Sequence, residues 1–84
     1  MNIPLEIEPY SRDRGLVTRW RPDYDLRVDV KGEVVISGNP EGLATLAAHL
    51  MTLAQDGVPY GSHLHYDDLN GLGEGSATLI IERT

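Results

Sequence analysis

His63-Leu64-His65-Tyr66-Asp67 sets two imidazoles two residues apart. On a strand they share one face with Cα atoms about 7 Å apart, a usable spacing for two ligands of one cation. Asp67 shares that face but lies roughly 13 Å along an extended strand from His63, so the three cannot converge, and a third ligand would have to come from another strand. Asp67-Asp68 is a carboxylate pair suited to acid–base work only if the chain turns there, because adjacent strand residues point to opposite faces. Ser62 beside His63 is adjacency and not a triad, and no serine stands in a G-x-S-x-G setting. Gly71-Leu72-Gly73-Glu74-Gly75 has the glycine spacing of a phosphate loop, but a strand-like segment follows it where a helix should begin, and it carries no lysine. No catalytic residue, metal site or cofactor is expected from these residues. The reading is a protein that works by binding.

Charge narrows the partner. Of a net charge of -6, residues 1–31 contribute nothing, with six basic and six acidic side chains, and in residues 32–84 Arg83 alone faces seven acids. Such a surface repels phosphate backbones and anionic lipid and steers a basic protein toward itself, so neither nucleic acid nor membrane is expected as a partner. Arg12, Arg14, Arg19 and Arg21 surround Trp20 but have Asp13, Asp23 and Asp25 nearby. The absence of cysteine fits a reducing compartment. The opening Met1-Asn2-Ile3-Pro4-Leu5-Glu6 has neither a basic nor an apolar leader region, and no apolar run reaches ~18 residues, so a cytoplasmic location is expected.

Eighty-four residues support one core, so residues 1–84 are expected to form a single domain with little left over for a deep substrate cavity. The fold class predicted is α+β, an antiparallel or mixed sheet with one amphipathic helix on one face. Leu5–Glu8 and Leu16–Trp20 are candidate strands. Leu26, Val28 and Val30 alternate with Arg27, Asp29 and Lys31, and Glu33–Ser37 follows Gly32. A three-residue loop Val30-Lys31-Gly32, with Gly32 left-handed, would pair 28 with 34 and 26 with 36 and put four aliphatics on one face. The helix is expected over about residues 40–56, capped by Asn39, with Pro40 in its first turn and Gly57 beyond its end. Leu43, Leu46, Ala47, Leu50, Leu53 and Ala54 recur at threes and fours as its core stripe, with Thr45, His49, Thr52, Gln55 and Asp56 facing water. Ser62–Asp67 and Ala77–Glu82 read as the last two strands, joined by a glycine-rich acidic loop.

Gly38-Asn39-Pro40-Glu41-Gly42-Leu43, Ala54-Gln55-Asp56-Gly57-Val58-Pro59 and Gly61-Ser62-His63-Leu64-His65 together resemble the immunity protein 32 family of bacterial polymorphic toxin systems. The resemblance runs from about Gly32 to Arg83 and leaves the first 25 residues without a counterpart. It implies a protein that neutralises a cognate protein toxin by binding it, and it carries over no catalytic residue. His63, His65 and Asp67 match the family's H-x-H-x-D pattern, whereas Tyr66 stands in place of an aliphatic residue and Leu72-Gly73 in place of a more acidic stretch. The surface expected to meet a basic toxin comprises His63, His65, Tyr66, Asp67, Asp68 and Glu74, with Trp20 as a further aromatic anchor. The alternatives are a homodimeric module using Val35 and Ile80, apolar on the sheet face away from the helix, and a metal-binding domain using His63 and His65.

Overall fold

Leu26 and Val28 are the alternating residues of the first strand that face inward, and both are buried in the computed structural model, which describes residues 2–84. Burying each contributes roughly 1.5–3 kcal/mol, and the rest of the core is assembled around them. The order is β1 (Leu26–Lys31), β2 (Glu33–Gly38), α1 (Pro40–Leu53), β3 (His63–Tyr66) and β4 (Leu79–Glu82), an α+β fold. β1 pairs antiparallel with β2, and β3 with β4. Leu46 of the helix joins Leu26, Val28, Tyr66 and Leu72 in the core, with Tyr24, Leu64, Ala77, Leu79 and Ile81 packed against it.

The sheet is in two pieces. Residues 73–77 lie along the free side of β1, with the Gly73 and Ala77 amides donating to the Leu26 and Val28 carbonyls at 2.8 and 2.7 Å. The Val28 amide donates to the Ser76 hydroxyl instead of to a carbonyl, so no regular ladder forms across this joint. The layer therefore runs β2, β1, the 73–77 segment leading into β4, then β3, and both β2 and β3 are edges.

In the first hairpin the shared face is as predicted, but the register is two residues away from the expected one. Val28 pairs with Ile36 and Leu26 with Gly38, because Gly32, at φ +74°, sits in the middle of a Lys31-Gly32-Glu33 turn and not at its end. Neither candidate strand of the first 20 residues forms. Backbone groups in and beside them are held by side chains of the helix and of Gln55 just beyond it. Gln55 accepts from the Tyr10 amide and donates to the Glu8 carbonyl, Thr45 accepts from the Arg21 amide, and His49 binds the Arg19 carbonyl. A segment satisfied this way has no ladder to offer a sheet.

The helix starts where expected, with the Asn39 side chain accepting from the Gly42 amide and Pro40 in the first turn. It ends at Leu53, three residues short of expectation, where Arg83 donates to the Leu53 and Gln55 carbonyls at 3.0 and 2.9 Å. Its rotation differs from the predicted one. Thr45, His49 and Thr52 are buried while Leu43 and Leu50 are exposed, Leu50 by 43%. Each of the three polar residues has its hydrogen bonds met inside. Thr45 and Thr52 donate to the Glu41 and Ala48 carbonyls, and His49 reaches two distant partners.

Candidate functional site

β3 sorts the predicted residues by alternation. His63 and His65 point outward and are exposed, paired across the strands with Glu82 and Ile80, while Leu64 turns toward the core. Tyr66 also turns inward and is only 2% exposed. That corrects its place on the expected surface. An anchor must reach a partner, and the Tyr66 phenol is instead bonded to His49 at 2.9 Å, with burial pushing its pKa up to about 12. His49 is the inner residue that the sequence reading missed. Its Nε2 lies 2.7 Å from the Arg19 carbonyl, which can only accept, so Nε2 carries the proton and Nδ1 accepts from Tyr66. Burial holds the His49 pKa below its ordinary value. A signal was present in the 45, 49, 52 spacing, which is as helical as the leucine pattern.

Trp20 covers this pair. Its ring meets His49 edge-on at 4.8 Å and Tyr66 at 5.9 Å, with Tyr24 at 4.9 Å, and it remains 36% exposed. Because it packs on Tyr66, it lies on the opposite side of β3 from His63 and His65. Gly71, at φ +94°, brings the loop onto the indole so closely that a side chain there would run into the ring.

The loop from Asp67 to Gly75 is tied down at several points. The Asp67 carboxylate accepts from the Leu69 amide and lies 3.3 Å from His65 Nε2, while Asp68 accepts from the Gly75 amide. Leu72 is buried in the core. Arg27 of β1 donates to the Glu74 carbonyl at 2.7 Å and pairs with Asp29. The glycine-rich loop is thus anchored by a residue of the other sheet, which its own sequence gave no reason to expect.

The acids divide into those with ionic partners and those without. Glu8 pairs with Arg19 and Arg14, and Glu41 with Arg21. The hydrogen bond and charge of Arg19 hold the Glu8 carboxyl below its usual range. Asp68, Glu74 and Glu82 make no ion pair among the described residues, and Arg83 is spent on backbone carbonyls. Among the described residues no group of three or more His, Cys, Asp or Glu side chains is placed to hold a metal ion. A cavity of about 390 Å³ lies between the Pro4–Glu6 segment, Trp20 and the helix, and the Glu41 carboxylate in its wall is already paired with Arg21. Among the described residues no helix is long and apolar enough to cross a membrane.

A small α+β chain with an acidic loop and this cap-to-strand pattern is what the residues from the hairpin onward define. The chain belongs to the immunity protein 32 family, whose profile matches residues 33–84. Membership points to an immunity protein and to a binding role in place of catalysis. No curated protein and no solved structure matches the chain.

Proposed function

We propose that this protein neutralises a cognate, basic bacterial toxin by binding it through the end of the molecule built from the Asp67–Gly75 loop, with Asp67, Asp68 and Glu74 supplying the charge. The family match over residues 33–84 carries the immunity reading. The location is supported by the acids there that have no ionic partner. His63 and His65 extend the surface along the outer side of β3 and Trp20 along the inner side, so a partner that meets both groups wraps around the loop. Tyr66 acts from beneath, by fixing Trp20 through the aromatic packing.

The test is a change of charge without a change of shape. Asp67→Asn keeps an oxygen for the Leu69 amide, Asp68→Asn keeps one for Gly75, and Glu74 is held by its backbone, so Glu74→Gln leaves the loop tethered. The triple variant should fold normally. It should associate several-fold more slowly with the toxin encoded beside it, the deficit shrinking at high salt, with a smaller change in dissociation. Unchanged association at low ionic strength would exclude this surface even if the wild-type protein protects cells.

A further inference from the structure

The strand on the other side of β1 from that loop is left open. β2 bonds to β1 on one side, and among the described residues no hydrogen bond reaches residues 33–37 from any other element. Every residue from Glu33 to Ser37 is exposed, including Val34 at 65% and Val35 at 48%. Proteins guard such edges with lysines, prolines, bulges or covering loops, and Glu33-Val34-Val35-Ile36-Ser37 has none of these. Beside it on the inner face, the helix shows a half-open stripe of Leu43, Ala47 and Leu50. Gly38 at the end of β2, with Leu43 and Ala47 of the helix and Ile3 and Leu5 of the N-terminal segment, lines an apolar hollow of about 540 Å³.

We infer that β2 is a dimerisation edge that pairs antiparallel with β2 of a second copy, centred on Val35. The sequence is self-complementary about that residue. Two-fold pairing sets Val35 opposite Val35, Val34 opposite Ile36 and Glu33 opposite Ser37, so no acid faces an acid. This matters for two molecules that each carry a charge of -6. A two-fold axis perpendicular to the sheet keeps both helices on one side, so the two Leu43-Ala47-Leu50 stripes converge over Val34 and Ile36. Exposed side chains of this size make an apolar patch of several hundred Å² per copy, and two such patches approach the ~1,000 Å² that a specific interface requires. The pairing continues the sheet through four strands and leaves the Asp67–Gly75 loop and β3 free, so it stands independently of how a toxin is bound.

Position 35 meets itself across the axis, which gives a sharp test. Sedimentation equilibrium of the full chain should show mass rising with concentration from 9.3 kDa to twice that value and then levelling. Val35→Lys and Val35→Glu should each remain monomeric with unchanged circular dichroism, and an equimolar mixture of the two should recover the dimer. The chain has no cysteine, so oxidised Val35→Cys should form a disulfide-linked dimer, while Tyr60→Cys, more exposed but remote from the axis, should not. A wild-type monomer up to millimolar concentration, growth without limit, or a dimer indifferent to Val35→Lys would each overturn the inference. If both charged variants unfold, the cysteine pair decides it, since equal cross-linking at positions 35 and 60 excludes the edge.

Discussion

His49 joins three parts of the chain that are far apart in sequence. It sits in the helix, accepts from Tyr66 of β3 and donates to the Arg19 carbonyl of the N-terminal segment. Replacing it by Ala leaves a cavity, a buried Tyr66 phenol and a part-buried Arg19 carbonyl without partners, so a loss of about 3–5 kcal/mol is expected. Leu50→Ala removes a half-exposed side chain and should cost less than about 1 kcal/mol. Urea midpoints of the two variants test this order, the reverse of what the leucine pattern alone implies. Acid should act on the same residue. Burial lowers the folded-state pKa of His49 below its ordinary 6.5, so the unfolded chain takes up the proton first. The associated stability is fully present above about pH 6.5 and falls as pH drops below it, levelling once the folded-state pKa is passed. Glu8, also depressed, begins to contribute a loss only below about 4.5. Denaturation midpoints measured from pH 8 to 4 should show the first decline in the wild type and not in His49→Gln.

At the level of the element, the start of the helix was legible because its chemistry is local. The Asn39 oxygen accepts from the Gly42 amide three residues on. The rotation of the helix was not, because Thr45 and His49 are buried through partners at Arg21 and Arg19, more than 20 residues away. The hairpin divides in the same way. Alternation gave its faces and glycine its left-handed turn residue, but both registers keep the aliphatics together, and hydrophobicity cannot separate them. The candidate loop residues were likewise readable as charges, while Arg27, which fastens the loop, came from a strand 47 positions earlier. Asn39 also does more than cap. Its oxygen accepts from the Asp25 amide and its nitrogen donates to the Asp23 carbonyl. Asn and Asp are near equals at ordinary caps, yet Asn39→Asp loses that donor and should cost about 1 kcal/mol or more. Gly42→Ala, a gain of roughly 0.8–1 kcal/mol in an open helix, should instead destabilise, because the new methyl would run into the Asp25 carbonyl. Thermal or urea midpoints would check both, and a stabilised Gly42→Ala would mean that the helix does not press on residue 25.

On the scale of the whole molecule, the family match begins at residue 33, yet the first 32 residues supply Leu26 and Val28 of the core, the Trp20 cover and the Arg27 tether. On the proposed reading the loop acids meet the toxin, and Arg27, from the part of the chain before residue 33, fastens that loop. Its guanidinium holds the Glu74 carbonyl and pairs with Asp29 of its own strand. Removing it should raise both rates of toxin binding, with opposed effects on affinity. Arg27→Gln takes the net charge from -6 to -7 and releases the Glu74 carbonyl, while the other ties of the loop remain. A more negative end steers a basic toxin faster at low salt, so association should rise about two-fold and the gain should vanish at high salt. The segment around Glu74, without that bond, must be ordered on binding, at roughly 0.5–1.5 kcal/mol per immobilised side chain, so dissociation should quicken by more than association gains. Stopped-flow mixing across a salt series, with urea denaturation to establish that the fold holds, separates the two effects. Equal loss of both rates, or no change in either, would place the toxin away from the Asp67–Gly75 loop.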